Sequence, residues 1–222
     1  MIKNQVILFG ATGLIGSQVL KFLLNDSYFK NVIAITRKPV SIKHKKLKVR
    51  HINFSNIKEI EECIKDGLVV FSTIGTTQSK VKGDKKSYRE IDFDITLNIG
   101  RACQAHYIEK FLFISSSGAD SSSSNFYLKL KGEAEEAVSK LNLKSLIILR
   151  PSLLLGSRNE FRFGEKIAQI VMPFFSAFLP SRFKPISSAS VSEVMISFSK
   201  LKTSGNKIVQ NEEILTMSKA NK

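Results

Sequence analysis

Short apolar runs alternate with amphipathic segments along most of the chain. The apolar runs carry Val, Ile, Leu and Phe with little alternation of polar positions, which is typical of strands buried on both faces of a sheet. The predicted strands are QVILFG, NVIAIT, LKVRHI, LVVFSTIG, KFLFISS and SLIILRP. The predicted helices between them are LIGSQVLKFLLN, IKEIEECIKD, IDFDITLNIGRACQAH and YLKLKGEAEEAVSKL. This order predicts an α/β fold with a doubly wound parallel sheet.

The pattern becomes looser after the sixth predicted strand. Helices are predicted there at Gly164–Phe178 and Val191–Lys202. In a doubly wound fold, such a late segment covers the open edge of the sheet where a substrate binds. We therefore expect a single domain over residues 1–222. It would consist of a Rossmann-like core at about 3–156 and a small C-terminal substrate lobe at about 157–222.

Composition fits one globular domain with a strongly basic surface. Hydrophobic residues make up 43% of the 222 residues, charged residues make up 24%, and the net charge is +15. The basic residues cluster at Arg37–Arg50 and Lys80–Arg89, but no aromatic residue lies within the first cluster to stack on bases. Lysines outnumber arginines, which suits a solvated surface better than base recognition. We expect no nucleic-acid partner, and a role for some of these charges near an anionic ligand.

Few features indicate a membrane, a metal or an oxidising compartment. The longest uncharged apolar stretch, Ile167–Pro180, contains an internal proline and is too short to cross a bilayer as a helix, so we expect no stable membrane insertion. Cys63 and Cys103 form neither a metal-ligand spacing nor a disulfide framework, and the three histidines have no ligand spacing either. We expect no metal, a reducing cytoplasmic compartment, and a monomer or homodimer that binds an unidentified small molecule.

Three glycines lie where the first predicted strand passes into the first helix, in the run GATGLIG. Gly10 permits a tight turn, Gly13 lets the backbone approach a pyrophosphate, and Gly16 permits close packing of helix on strand. The amides at the helix N-terminus would then face the phosphates. The alternative is a purely structural turn. The dinucleotide interpretation predicts cofactor contacts from Gly10, Thr12, Gly13, Leu14, Ile15 and Gly16.

The end of the second predicted strand bears on the choice of cofactor. It carries Thr36, Arg37 and Lys38 where a protein specific for NAD usually has an acidic residue. An acid there binds the ribose 2′-hydroxyl, whereas an arginine accommodates a 2′-phosphate. Arg37 and Lys38 therefore favour NADP over NAD. The alternative is a pair of solvent-facing cations in a lysine-rich chain.

Tyr127 and Lys131 form a YxxxK motif in YLKLK. A spacing of four residues places both side chains on one face of a helix. A tyrosine with an ordinary pKa of about 10 is a poor base, but a nearby lysine cation favours the phenolate and eases proton exchange with a substrate oxygen. The motif alone is weak evidence in a chain so rich in lysine. Its position after the strand KFLFISS is further evidence that Tyr127 and Lys131 are a catalytic pair.

The spacing GxxGxxG resembles that of the short-chain dehydrogenase/reductase superfamily, in its extended and atypical branches. The runs STIGTT, IDFDITLNIGRAC, SSSGAD, SNFYLKLKGEAEEAV and LRPSLLLG together resemble the atypical subgroup of Tat-interacting-protein-like NAD(P)-binding oxidoreductases. The resemblance covers about Val6–Gly156 and is weaker in RFKPISSASVSEVMISF. The chain has Asp92 where extended members often carry Asn, which leaves open whether it has the Asn-mediated proton relay of those members. It has Asn53 where the family usually has Asp.

The resemblance implies roles for several further residues. The family pattern places the catalytic serine just beyond the last apolar position of its strand, which favours Ser116, with Ser115 or Ser117 as alternatives. Lys131 would also bind the nicotinamide ribose, and Pro151 would lie against the nicotinamide. The remaining cofactor contacts that it implies are Asn53 and Phe54 beside the adenine, and Thr73, Ile74, Gly75, Ser115 and Tyr127.

These observations predict an NADP(H)-dependent oxidoreductase that transfers hydride to or from a carbonyl or hydroxyl of a small molecule. The alternative is an NADP(H)-binding regulatory or interaction protein without physiological turnover, because members of the subgroup are often described as interaction proteins. A sugar-nucleotide epimerase or dehydratase is disfavoured, since 222 residues leave little room for a large substrate lobe.

Overall fold

The central sheet has seven strands, and all neighbouring pairs in it are parallel. The computed structural model describes residues 4–37, 39–77, 80–155 and 180–220. The strands are β1 (Gln5–Phe9), β2 (Asn31–Thr36), β3 (Leu47–His51), β4 (Val69–Ser72), β5 (Lys110–Ile114), β6 (Ser145–Arg150) and β9 (Gly205–Gln210). Their order across the sheet is β3-β2-β1-β4-β5-β6-β9. The predicted fold class, a Rossmann-like doubly wound parallel sheet, is confirmed.

Helices cover both faces of this sheet. They are α1 (Leu14–Asn25), α2 (Ile57–Ile64), α3 (Lys85–Arg89), α4 (Ile95–Ala105), α5 (Phe126–Ser139), α6 (Ser188–Lys200) and α7 (Asn211–Ala220). A π-helical turn, Glu90–Asp94, joins α3 to α4, and a 3₁₀ turn, Ser181–Phe183, precedes α6. Two short strands, β7 (Leu154–Leu155) and β8 (Ile186–Ser187), pair in parallel beside the sheet. No helix in the described ranges is long and apolar enough to cross a membrane.

Alternate residues of each central strand face two separate apolar layers. In β1, Val6 and Leu8 pack towards α1, α6 and α7, whereas Ile7 and Phe9 pack towards α2, α4 and α5. Every residue of β1 is buried. A strand that is buried on both faces of the sheet has a continuous run of apolar residues in its sequence. Removing a side chain such as Phe9 from water stabilises the fold by about 2–3 kcal/mol.

The C-terminal part differs most from the sequence-based prediction. The helix predicted at Val191–Lys202 is α6, and it begins earlier because the Ser187 side chain caps it by accepting from the Ser190 amide. The strand β9 was not predicted, because only Val209 in it is buried and the run has no apolar pattern. The helix predicted at Gly164–Phe178 lies outside the described residues. The division of the chain into a core and a substrate lobe stays a prediction.

The sheet reverses its strand order between β1 and β4. From β1, the strands β2 and β3 follow towards one edge of the sheet, and from β4, the strands β5 and β6 follow towards the other edge. In open α/β sheets, ligands bind in the crevice beyond the carboxyl ends of the strands at such a reversal. The glycine turn after β1 and the loop after β4 meet at this point, as the contacts between Gly10 and Thr73 show.

Candidate functional site

The glycine turn joins the end of β1 to the start of α1. Gly10 has a φ of +85°, and a Cβ atom there would lie 2.7 Å from Thr73 Oγ1. A Cβ atom on Gly16 would lie 2.1 Å from the carbonyl oxygen of Gly10. The hydroxyl of Thr73 donates towards the carbonyl oxygens of Phe9 (3.0 Å) and Gly10 (3.2 Å). A larger residue at either position would prevent α1 from packing closely against the turn.

The N-terminus of α1 opens onto a cleft at the reversal point. Gly13 is the N-cap residue; in the part of the chain that the structure describes, no side chain caps this helix, and its first turn contains no acid. Uncapped amides and the positive end of the helix dipole favour an anionic group. Thr12, Gly13, Leu14 and Ile15 all line the cleft. This end of the cleft therefore fits a dinucleotide pyrophosphate.

The cleft has a volume of about 680 Å³ and runs from the glycine turn to the start of α5. Such a volume is typical of small-molecule sites. Twelve of the predicted site residues line it, namely Thr12, Gly13, Leu14, Ile15, Thr73, Ile74, Gly75, Ser115, Ser116, Tyr127, Lys131 and Pro151. The structure thus brings the glycine turn and the predicted catalytic residues to one continuous site.

Helix α5 carries Tyr127 and Lys131 on the wall of the cleft. Its N-cap is Asn125, whose side chain accepts from the Leu128 amide at 3.1 Å and fixes where the helix begins. The ammonium of Lys131 lies 6.0 Å from the centroid of the Tyr127 ring, as the spacing of four residues predicts. The Tyr127 ring also makes an edge contact with the buried Tyr88, with ring centroids 6.3 Å apart.

Lys131 is buried and forms an ion pair that the sequence did not reveal. Its Nζ lies 2.7 Å from Asp92 Oδ1, and the two side chains are only 8% and 1% exposed. Burial disfavours the lysine cation, but the attraction of Asp92 and Tyr127 outweighs it and raises the pKa of Lys131 above its ordinary value. Lys131 therefore carries its charge at neutral pH.

The three serines after β5 have different surroundings. Ser115 is buried, and its hydroxyl donates to Glu135 on α5. Ser117 donates its hydroxyl to the Arg182 carbonyl at 3.0 Å. Ser116 makes a longer contact, 3.3 Å to the Ser117 carbonyl, and it lines the cleft. Of these three hydroxyls, that of Ser116 is thus the most available to a ligand in the cleft.

Glu135 holds the serine loop, α5 and β6 together. Its carboxylate accepts from Arg150 Nε at 2.9 and 3.1 Å and from Arg150 Nη2 at 2.5 Å, in addition to Ser115. The Glu135 side chain is 5% exposed and that of Arg150 is 19% exposed. The sequence alone did not indicate this network. A usable signal was that Glu135 lies four residues after Lys131, on the same face of α5.

The predicted adenine end lies away from the walls of the cleft. The guanidinium of Arg37 stands 5.9 Å from the centroid of the Phe54 ring, and Phe54 packs against Phe9. Asn53 donates its amide to Glu59 and accepts from the Ser55 amide, so its side chain already serves a local turn. Lys38 lies outside the described residues. Gly10, Gly16, Arg37, Asn53 and Phe54 are not among the described residues that line the cleft.

A fully buried asparagine fixes the segment after β6, which contains Pro151. Asn211 Oδ1 accepts from the Ser152 amide at 3.0 Å, and its Nδ2 donates to the carbonyls of Ser181 and Lys184, both at 2.9 Å. The hydroxyl of Ser152 donates to the Phe183 carbonyl at 3.0 Å. Asn211 therefore ties the cleft wall to the 3₁₀ turn and α7. Nothing in the local pattern around it indicated this role.

Comparison with known families agrees with this geometry. A family model described as NAD(P)H-binding matches residues 10–199, which include the glycine turn, the loop after β4 and α5. This chain belongs to that NAD(P)H-binding family. The predicted relationship to atypical short-chain dehydrogenases/reductases is confirmed.

Relatives in this family include fungal and mammalian proteins. Protein FMP52, mitochondrial, of Candida albicans is 32% identical over 200 residues, which is 87% of each chain. Protein FMP52, mitochondrial, of Kluyveromyces lactis is 33% identical over 221 residues, 96% of this chain and 98% of that one. Protein HTATIP2 of Rattus norvegicus is 31% identical over 172 residues, 76% of this chain and 70% of that one.

The names of the fungal relatives correct one expectation. The sequence led us to expect a cytoplasmic protein, but the FMP52 relatives are named as mitochondrial proteins. The cytoplasmic expectation is therefore wrong. It depended largely on Cys63 and Cys103, which are free and buried. Unpaired cysteines fit any reducing compartment, so they do not distinguish the cytoplasm from the mitochondrion.

Solved structures share the fold at low sequence identity. MoeE5 in complex with UDP-glucuronic acid and NAD superimposes with a TM-score of 0.71 at 16% identity, over 98% of this chain and 82% of that one. The UDP-glucose 4-epimerase of Thermus thermophilus, in complex with NAD, gives a TM-score of 0.69 at 18% identity, over 97% and 82%. Likeness at this level shows the fold alone.

Proposed function

We propose that the protein is an NADP(H)-dependent oxidoreductase that acts on the carbonyl or hydroxyl of a small molecule. The observation that carries the proposal is the single cleft that joins the uncapped N-terminus of α1 to Ser116, Tyr127 and Lys131. One end of this cleft suits phosphates, and the other end holds a proton donor beside a buried cation. Membership of the NAD(P)H-binding family supports the cofactor class.

The chain's own groups would handle the substrate oxygen and its proton. The nicotinamide, when bound, supplies or accepts the hydride. Ser116 would donate a hydrogen bond to the substrate carbonyl, and Tyr127 would give its proton to the same oxygen as charge develops there. Lys131 keeps a positive charge beside Tyr127 and would also bind the nicotinamide ribose. Pro151 and the segment that Asn211 fixes would bound the nicotinamide side of the cleft.

A preference for NADP rests on the end of β2. Arg37 follows the last residue of β2, is exposed, and lies over the Phe54 ring, where it is available to a 2′-phosphate. We expect Arg37→Ala to weaken NADPH binding about 10-fold, the order of one charge-assisted contact, and to leave NADH binding unchanged. Arg101→Ala, on an exposed residue of α4, is the matched control. Equal losses for NADPH and NADH would contradict the preference.

Turnover is tested with purified protein, NADPH and a panel of aldehydes and quinones. Nucleotide retained through purification is identified by mass, and NADPH oxidation is followed by absorbance. Tyr127→Phe should reduce turnover at least about 100-fold while it keeps NADPH affinity, because only the proton donor is lost. Tyr107→Phe, at an exposed tyrosine, is the control. Tight NADPH binding without turnover by the wild type on any compound would contradict the oxidoreductase proposal and favour a cofactor-binding regulator.

We also propose a mitochondrial location, which the names of the fungal relatives support. Cell fractionation with an antibody against the untagged chain tests it. The protein should be recovered with the mitochondrial fraction and be protected there from added protease. Recovery in the soluble cytosol alone would contradict this location.

A further inference from the structure

The basic segment Lys80–Arg89 borders the cleft. It contains five basic residues and one acidic residue. The acidic residue, Asp84, serves the fold, because its carboxylate accepts from the amides of Lys86 and Ser87 and so caps α3. Lys80, at the start of the segment, is exposed and lines the cleft. A strongly positive segment beside a ligand cleft indicates an anionic ligand.

Contacts of α3 connect this segment with the end of the cleft that holds Tyr127. The Tyr88 ring makes an edge contact with the Tyr127 ring, with centroids 6.3 Å apart. The Tyr88 hydroxyl donates to the Thr76 carbonyl at 3.2 Å. The Lys80 amide donates to the carbonyl of Thr77 at 2.9 Å, so Lys80 lies one turn beyond the two threonines, which also line the cleft. The loop that carries Lys80 is therefore held next to α3 and the start of α5.

Lys80 determines the sign of the charge that lines the cleft. Three of the described residues that line it are charged, namely Lys80, Asp92 and Lys131. Asp92 and Lys131 are buried and lie 2.7 Å apart between Oδ1 and Nζ, so their charges offset each other. The sum of these three charges is therefore positive, and it equals the charge of Lys80. Such a cleft attracts an anionic group and repels a cationic one.

The phosphates of a dinucleotide fit other parts of the molecule. The N-terminus of α1 suits the pyrophosphate, and Arg37, after β2, is available to a 2′-phosphate. Lys80 follows β4, and β1 lies between β2 and β4 in the sheet. Arg37 and Lys80 therefore follow strands on opposite sides of the glycine turn. A cation on the β4 side, at the end of the cleft that holds Tyr127, suits an acidic group of the substrate.

We propose that Lys80 binds the substrate through a carboxylate, so that the substrate class is small carbonyl compounds that carry an acidic group. The inference rests on the proposed oxidoreductase function and adds its substrate class. The Lys80 ammonium forms one charge-assisted hydrogen bond with the carboxylate, while Ser116 and Tyr127 hold the carbonyl oxygen. A single lysine is a point charge on a flexible stem, which matches one negative charge rather than a phosphate dianion.

The test compares two acids with their methyl esters as substrates, in the presence of excess NADPH. The acids are para-formylbenzoate and succinic semialdehyde, and each ester keeps the aldehyde but lacks the charge. The wild type should give a kcat/KM about 10-fold higher for an acid than for its ester, the order of one charge-assisted contact. Lys80→Gln should lower this ratio to about 1, and Lys80→Glu should lower it further, because the charge is reversed. Lys86→Gln, at an exposed lysine outside the cleft lining, is the matched control and should keep the wild-type ratio.

A binding measurement separates this inference from the proposed function, because it needs no turnover. The probes are para-hydroxymethylbenzoate and its methyl ester, alcohols that NADPH cannot reduce, and calorimetry measures their affinity for the protein saturated with NADPH. The wild type should bind the acid about 10-fold more tightly than the ester, and Lys80→Gln should bind the two equally. This result without any turnover contradicts the proposed function and supports the role of Lys80.

Three results overturn the inference. The first is a wild type that shows no acid preference in either measurement; if it still turns over aldehydes, the proposed function stands alone. The second is a Lys80→Gln protein that keeps the acid preference of the wild type. The third is a Lys80→Gln protein that binds NADPH about 10-fold more weakly while its acid preference is unchanged, which would assign Lys80 to a phosphate of the cofactor.

Discussion

The two ends of the cleft are built in different ways. At the proposed phosphate end, the site is formed by backbone atoms and by glycines that lack a Cβ atom, because Gly10 and Gly16 allow β1, β4 and α1 to approach each other closely. At the proposed catalytic end, the site depends on buried ion pairs, in which Lys131 pairs with Asp92 and Glu135 pairs with Arg150. The phosphate end is therefore encoded in one short run of sequence. The catalytic end depends on partners that only the folded chain brings together.

The largest expected effect belongs to the catalytic end. Glu135→Ala leaves the guanidinium of Arg150 without its carboxylate and the Ser115 hydroxyl without its acceptor. Breaking a mostly buried pair in this way should reduce the free energy of unfolding by about 4 kcal/mol, measured by urea denaturation. Glu133→Ala, on the same helix, breaks a half-exposed pair with Arg89 and should cost less than about 1 kcal/mol. Equal losses would contradict a special role for the buried network.

A slightly smaller loss is expected at the phosphate end. Gly16→Ala places a Cβ atom against the Gly10 carbonyl oxygen, and neither backbone segment can move without disturbing the other. We expect a loss of about 3 kcal/mol in the free energy of unfolding, together with weaker NADPH binding, measured by denaturation and fluorescence titration. Lys21→Ala, at an exposed position of α1 that is not part of the cleft lining, should change neither. A stable Gly16→Ala protein would show that α1 does not need this close contact.

Substitution of Asn211 shows whether neutral polar groups also stabilise the proposed catalytic end. Asn211→Ala leaves the Ser152 amide and the carbonyls of Ser181 and Lys184 without their buried partner. The expected loss is about 2 kcal/mol by urea denaturation. Asn206→Ala removes an exposed hydrogen bond to the Ser139 carbonyl and should cost less than about 1 kcal/mol. If Asn211→Ala reduces the free energy of unfolding no more than Asn206→Ala does, then only the charged groups, and not Asn211, stabilise this end of the cleft.

The smallest effect is expected at a pair outside both ends, between Asp26 and Lys200. Burial tends to raise the pKa of Asp26, but the hydrogen bonds from Lys200 and the Tyr28 amide outweigh it, so the pKa lies below its ordinary value of 3.8. The pair therefore stabilises the fold above that pH, and its contribution is lost as the pH falls through the folded-state pKa. Lys200→Ala should cost less than about 1 kcal/mol at neutral pH. Thermal denaturation should show the difference from wild type shrinking in acid; a constant difference would contradict the assignment.

The sequence predicted the parts of the molecule that depend on neighbours along the chain. The order of strands β1 to β6, the glycine turn and the spacing of Tyr127 and Lys131 all follow from local periodicity or short motifs. The Asp92 pair, the Glu135 network and the Asn211 junction did not, since a lone polar residue does not reveal a distant buried partner. The strand β9 was missed for a related reason, because an exposed edge strand has no apolar pattern.

The placement of β9 has a consequence for how the protein is made. A ribosome releases the chain from its N-terminus, so β1 to β6 can pair before Gly205 has emerged. The wall of the cleft at Ser152, however, must wait for Asn211, which follows β9 directly. During synthesis, the nascent chain would thus have its glycine turn in place before the cleft wall at Ser152 is complete.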